Sequence, residues 1–180
     1  MKLNLTLFLT LLISLESLAM PAEVVVIRHA EKPAFGNQLS RLGIQRANAL
    51  PLFFENNPVI TQHGKIAAIY VASPHNTQGS VRSIQTMVPT AKSLNLNLNE
   101  KYHRDDITAL VNEVRSNPLY EGKTVVICWE HKMIPPMIQA FGYSGAPTTW
   151  EDSVFDQAWV LEFAHDGTTR FQMIPENLPL

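Results

Sequence analysis

The chain has 180 residues, of which 46% are apolar and 17% charged, and its formal net charge is -2 at pH 7. This length and balance predict one globular domain, exclude an acidic disordered tail and give no basic surface for nucleic acid. The single cysteine, Cys128, excludes an intrachain disulfide and any zinc site built on several cysteines.

The N-terminal segment has the order of a secretory signal peptide. One lysine precedes the apolar run Leu3–Leu15, and Ser17 and Ala19 are the small residues that favour cleavage before residue 20. A membrane anchor is the alternative, but the run is interrupted by polar residues and is shorter than the roughly 20 residues that span a bilayer. We therefore expect residues 1–19 to be removed, leaving residues 20–180 as one exported domain, periplasmic or extracellular, without stable membrane insertion.

Beyond residue 20, strand patterns alternate with helix patterns. In chain order they predict strand Val24–Ile27, helix Ser40–Leu50, strand Ile66–Ala72, helix Val81–Leu94, helix Ile107–Val114, strand Thr124–Cys128, helix Ile134–Phe141 and the strand pair Ala158–Phe163 and Arg170–Ile174. Pro51 should end the first helix, and Pro89 should kink the second. The alternation predicts a three-layer α/β/α sandwich with a mostly parallel central sheet.

Charged and polar residues follow the three buried strand patterns, at the end of a parallel sheet where ligands bind. Arg28 and His29 follow the first, His75 lies just after the second, and His131 follows the third. Arg82 lies in the first turn of the next helix, where free N–H groups favour an anion and an arginine adds a bidentate fork. Together these residues predict a phosphate pocket.

Three segments carry longer motifs. They are Arg28–Pro33 with the Leu-Ser-x-x-Gly-x-x-Arg-Ala pattern at 39–47, the Arg-Ser-x-Gln-Thr-x-x-Pro pattern at 82–89, and Val125–His131 followed by Ile-Pro. In this order they resemble the histidine phosphatase superfamily, also called the phosphoglycerate mutase-like superfamily. The resemblance extends from Val24 to about Gly142 and implies a phosphoglycerate mutase-like fold.

The resemblance also implies a role for each matched residue. His29 is expected to attack phosphorus and become a phosphohistidine, which water then hydrolyses. Arg28, Arg82 and His131 are expected to hold the phosphoryl oxygens and stabilise the charge of the transition state. An imidazole with an ordinary pKa of ~6.5 is an adequate nucleophile near pH 7, so no metal and no cofactor is expected.

The proton donor for the leaving group stays open at this point. Asp105 and Asp106 are candidates because the family often places a carboxylate after its second arginine segment. Either one could instead cap the helix that starts near Ile107. Glu130 is a third candidate, since it stands where a small residue is expected before the second histidine. Lys32 either approaches the phosphate or is solvated.

Two departures from the family pattern affect the pocket. The bulky Trp129 is expected to narrow or cover it. Because of the insertion between Ser73 and Arg82, His75 either reaches the pocket or lies in an exposed loop, and the loop position is favoured. His63 lies in a polar stretch and is expected at the surface.

The motifs favour a small secreted phosphatase that hydrolyses phosphate monoesters of a small phosphorylated substrate. The chain lacks the large insertion that mutases of the superfamily typically carry, so a mutase is less favoured. A catalytically weak member that only binds a phosphorylated ligand is the alternative. A metal-dependent hydrolase on the same histidines lacks the expected ligand spacing. The oligomeric state is not predicted.

Overall fold

The computed structural model describes residues 20–164 and 166–180. The predicted signal peptide, residues 1–19, lies outside them. Among the described residues, no helix is both long and apolar enough to cross a bilayer.

The described part of the chain contains six strands and five α-helices. The strands are β1 Glu23–Arg28, β2 Ala68–Val71, β3 Leu98–Asn99, β4 Thr124–Trp129, β5 Gln157–Phe163 and β6 Thr169–Pro175. The helices are α1 Arg41–Asn56, α2 Pro58–Thr61, α3 Arg82–Ser93, α4 Ile107–Ser116 and α5 Ile134–Ala140. Two short 3₁₀ helices, Pro118–Tyr120 and His131–Met133, flank β4.

The strands form one sheet in the order β3-β2-β4-β1-β5-β6. The pairs β1–β4, β2–β4 and β2–β3 are parallel, while β5 runs antiparallel to both β1 and β6. Val24 and Val26 pack with the side chains of α4 and α5, whereas Val25 and Ile27 pack on the opposite face with those of α1 and α3. Both faces of β1 are therefore buried, and the predicted three-layer α/β/α sandwich is confirmed.

Helix α1 continues through Pro51 to Asn56, so the prediction that it ends at Pro51 is wrong. A proline inside a helix removes one backbone hydrogen bond. Beyond it, Phe53 and Phe54 are buried at 5% and 1% exposure and extend the apolar face of the helix. Burial of two phenyl rings stabilises this last stretch by more than one hydrogen bond contributes. Helix α3 likewise contains Pro89.

A buried ion cluster holds the segment after β1 against α1. Arg46 donates from Nη2 to Glu31 at 2.8 Å and from Nη1 to Glu176 at 2.8 Å. Burial raises the pKa of Glu176 to about 8, although the charge of Arg46 opposes the shift. Gly43 permits the close approach, because a Cβ there would overlap the carbonyl oxygen of Glu31. Arg46 and Gly43 of the first motif thus hold the backbone around Glu31, just after β1, in place.

Candidate active site

The carboxyl ends of the parallel strands border a cleft of about 580 Å³. Four residues predicted for the site line it, namely His29, Arg82, Asp105 and Glu130. The cleft also contains Ser83 of the second motif and side chains outside the motifs, among them Ser73, His75, Ser80, Arg104 and Lys132. A cleft therefore lies where the phosphate pocket was predicted, and its lining is richer in cations than the motifs indicate.

The His29 ring is held in one tautomer. Its Nδ1 lies 2.8 Å from the carbonyl oxygen of Ala30, which can only accept, so Nδ1 carries the proton. The residue is 5% exposed. Burial, with a smaller effect of the charges of Arg28 and Arg82, lowers the pKa of His29 to about 4, while the bond to Ala30 opposes the shift. His29 is thus neutral at pH 7, with Nε2 as the unprotonated ring nitrogen.

The second motif holds this arrangement through its polar side chains. The Thr86 hydroxyl accepts from the backbone N–H of Ala30 at 2.9 Å, and it donates to the Arg82 carbonyl at 2.7 Å. Gln85 accepts from the N–H of Leu39 at 2.9 Å. These bonds tie α3 to the segment after His29 and hold Ala30, whose carbonyl binds the imidazole.

Arg82 is fixed at the start of α3 by the loop before α1. Its Nε donates to the Gln38 carbonyl at 3.0 Å, and its Nη2 donates to the Gly36 carbonyl. The helix has no side-chain cap, so N–H groups of its first turn remain available to an anion beside the guanidinium.

Arg28 and His131 are buried and are not among the described residues that line the cleft. Nη1 of Arg28 donates to the carbonyls of Asp152 at 2.8 Å and Val154 at 2.9 Å. The guanidinium carbon lies 3.7 Å from the centre of the Phe155 ring, and Nε is buried without a hydrogen-bond partner. Arg28 therefore binds the segment before β5.

The same segment reaches His131. Nε2 of His131 lies 2.5 Å from Oδ1 of Asp152, and this hydrogen bond lowers the pKa of Asp152. Nδ1 lies 2.9 Å from Oε1 of Glu130, without the angles of a hydrogen bond. Asp152 is a residue that the sequence analysis missed, because no motif surrounds it and its contact crosses 21 positions of the chain.

The two candidate aspartates differ in surroundings. Asp105 lies in the cleft, 2.9 Å from Nη2 of Arg104 and 3.7 Å from Nε2 of His75. Asp106 accepts from the backbone N–H of His103 at 2.9 Å and precedes α4 without bonding to its first turn. Asp106 shapes the turn before the helix and is outside the lining of the cleft.

Glu130 is the most enclosed of the three candidate carboxylates. Its side chain is 23% exposed, and Oε2 is buried without a hydrogen-bond partner. Lys32, the other open candidate, is exposed and is not among the described residues that line the cleft.

Trp129 does not cover the cleft, contrary to expectation. It is fully buried in the core, and its Nε1 donates to the Arg104 carbonyl at 2.9 Å. The indole thereby supports the turn that carries Asp105. His75 is 58% exposed, as expected for a loop, and it also lines the cleft and stacks on His103 at 4.2 Å between ring centres.

The depressed pKa of His29 is directly measurable. NMR titration of the imidazole groups from pH 3.5 to 8 should give a midpoint of about 4 for His29, well below the ~6.5 of a solvated imidazole. The His29→Ala variant assigns the signal by its loss, and circular dichroism at each pH verifies that the protein stays folded. A midpoint near 6.5 would show that the ring is not desolvated as described.

Comparison with known proteins supports the architecture. No protein-family model matches the sequence, and no curated protein sequence matches it. A protein described as an alpha-ribazole-5'-P phosphatase from Escherichia coli has 9% identity and a TM-score of 0.59 over 86% of this chain and 96% of its own. Phosphoglycerate mutase from Bacillus anthracis has 11% identity and a TM-score of 0.58, with coverages of 87% and 94%.

The protein histidine phosphatase SixA, solved with tungstate, has 15% identity and a TM-score of 0.51, covering 86% of this chain and 97% of its own. At these identities the similarity is one of fold. The resemblance drawn from the three sequence segments is confirmed at that level: the chain has a phosphoglycerate mutase-like fold.

Proposed function

We propose that the protein is an exported, metal-independent phosphatase that hydrolyses phosphate monoesters through a phosphohistidine on His29. The bond from Nδ1 of His29 to the Ala30 carbonyl carries this proposal, because it leaves Nε2 of a neutral, buried imidazole for attack. Arg82, Arg104 and Lys132 supply positive charge to the same cleft. The signal-like segment at 1–19 is the support for export.

The reaction proceeds in two displacements. Nε2 of His29 bonds to phosphorus as the ester P–O bond breaks. The electron pair of the P–O bond leaves with the substrate oxygen, and this oxygen takes a proton from a carboxylic acid. Water then attacks the phosphohistidine and gives its proton to that carboxylate. The P–N bond breaks, and its electron pair returns to Nε2. Neither displacement needs a metal, since positive side chains around the phosphoryl oxygens stabilise the transition state.

We assign Glu130 as the proton donor. It lines the cleft with His29, and one of its oxygens is buried without a partner. Asp105 shares the cleft, but its carboxylate is already paired with Arg104 at 2.9 Å. Asp106 is bonded to the backbone outside the lining.

A phosphatase is preferred to a mutase on the size of the segment between α3 and β4. That stretch holds only the two-residue strand β3, the ten-residue helix α4 and a 3₁₀ turn. It offers little structure to enclose a phosphoryl acceptor other than water.

One observation favours the alternative of a ligand-binding protein without turnover. Nε2 of His131 is bonded to Asp152, and Nη1 of Arg28 is bonded to backbone carbonyls. These two nitrogens must exchange their partners before they can hold a phosphoryl oxygen. A protein that makes no such exchange would retain phosphate affinity through Arg82 and lack catalysis.

The nucleophile is tested with p-nitrophenyl phosphate and EDTA. The mature chain should turn over, and His29→Ala should lower kcat/KM by about 10³-fold or more. Lys32→Ala, which removes an exposed cation outside the cleft, should stay within about two-fold of the parent because rim charges contribute little. Turnover that survives His29→Ala excludes the phosphohistidine mechanism. Absence of turnover in a chain that binds inorganic phosphate supports the binding protein.

The proton donor is tested by changing the leaving group. Glu130→Gln should lower kcat on an alkyl phosphate by about 10²-fold or more, because the alkoxide then leaves without a proton. With p-nitrophenyl phosphate, whose leaving group needs no proton, the loss should be below about five-fold. Asp105→Asn is the matched control and should not show this difference. Equal losses on both substrates for Glu130→Gln would remove it from the acid role.

Asp152 is expected to compete with the substrate for His131. Asp152→Asn removes a negative charge beside the phosphoryl site, so KM for p-nitrophenyl phosphate should fall by about two- to five-fold, the range of an exposed ion pair. The value of kcat should change less than about two-fold, because the amide oxygen can still accept from Nε2. A fall in kcat with unchanged KM would instead show that the carboxylate orients His131 for catalysis.

A further inference from the structure

A second group of metal-ligating side chains lies at the opposite end of β1 from the cleft. Glu23 begins β1, Glu162 is its direct antiparallel partner in β5, and His63 follows α2. One carboxylate oxygen of each glutamate and one ring nitrogen of His63 all lie within 4.8 Å of one another. His63 is half-buried, so its predicted surface position is only partly correct.

The paired glutamates are unfavourable without a cation. Like charges directly opposite one another in a sheet repel, and Glu23 is fully buried. Burial raises the pKa of Glu23 to about 7, and the charge of Glu162 adds to the shift. No lysine or arginine of residues 20–164 and 166–180 forms an ion pair with either carboxylate.

Among the residues that the structure describes, only neutral side chains donate to these carboxylates. The Thr124 hydroxyl donates to Glu23 at 3.1 Å, and the Gln62 amide donates to Glu23 at 3.2 Å and to Glu162 at 2.6 Å. Gln62 is exposed and spans the two glutamates from the solvent side. It can turn away at small cost, while Thr124 stays in place behind Glu23.

The His63 ring provides an independent sign of a missing partner. Its Nε2 is buried and has no hydrogen-bond partner within the described part of the chain. Buried polar atoms in proteins are nearly always paired, with protein, water or an ion. A neutral imidazole beside two carboxylates is a donor set that suits zinc and related divalent transition metals.

We propose that Glu23, His63 and Glu162 bind one divalent transition-metal ion, with zinc as the best match. Ligand atoms about 2.0–2.2 Å from a tetrahedral zinc ion lie about 3.3 Å from each other. Small side-chain rotations bring the three groups from their present separations to that distance. Water completes the coordination from the exposed side, and Thr124 orients the Glu23 carboxylate as an outer hydrogen-bond donor.

The site is structural and separate from the proposed phosphatase chemistry. Glu23 and His29 are separated by about 20 Å along β1, at about 3.3 Å per residue. A bound ion would join the start of β1, the end of β5 and the turn after α2. It would stabilise the domain without contact with the phosphoryl group. A chelator would therefore lower the stability of the domain and leave the proposed hydrolysis unchanged.

Zinc titration of the chelator-treated protein tests the proposal. Calorimetry should give one zinc ion per chain, and the melting temperature at pH 8 should rise by about 5–10 °C at a free zinc concentration about 100 times Kd. Cobalt(II) should give the visible absorption of a four-coordinate ion. His63→Gln and Glu162→Gln should weaken binding by about ten-fold or more.

Two further variants distinguish zinc bound at this site from zinc bound elsewhere on the protein. His75→Gln removes a histidine of the cleft and should leave the stoichiometry and Kd unchanged. Glu23→Gln should remove zinc binding while keeping the metal-free melting temperature at or above the parent value, because it deletes a buried, repelled charge. No stoichiometric binding, or binding that is lost in His75→Gln and kept in His63→Gln, overturns the proposal.

Discussion

The parallel pairing of β1 with β4 determines where the candidate catalytic groups lie. Its register sets Arg28 beside Trp129, and the N–H of His29 donates to the Trp129 carbonyl at 3.0 Å. His29 therefore leaves its strand next to Glu130, with His131 one position further. A slip of one residue would turn alternate side chains to the other face of the sheet, and two buried faces make such a slip costly. Core packing thus fixes the geometry of the cleft.

The environment of the imidazole follows from this placement. Desolvation and the surrounding cations keep His29 neutral, while the Ala30 carbonyl selects the tautomer. The opposing carboxylates, Glu130 and Asp152, both approach His131 rather than His29. The proposed nucleophile and the proposed anion-binding histidine are therefore kept in different electrostatic surroundings at the same end of the sheet.

Sequence patterns were sufficient where the determining interactions are local. The apolar runs and the polar residues at their ends predicted β1, β4 and the position of the cleft, because burial on both faces leaves a continuous apolar pattern. Contacts between distant segments left no such pattern. Asp152 reaches His131 from a segment without a motif, and His63 meets Glu23 and Glu162 only after the sheet has formed. Helix α1 was predicted too short because the rule that proline ends a helix is local. It takes no account of the burial of Phe53 and Phe54 after Pro51.

The two ends of β1 accommodate buried titratable groups in opposite ways. At the carboxyl end, His29 is neutral over the whole physiological range, so its burial demands no counter-charge. At the amino end, Glu23 has a pKa of about 7 and faces Glu162 across the strands. Below that pH, a proton neutralises Glu23, and the bonds from Thr124 and Gln62 suffice. Above it, the ionised pair is destabilising, and the proposed metal ion is the group that would offset it. Because metal and proton would compete for the same carboxylate, the contribution of such an ion to stability would grow as the pH rises.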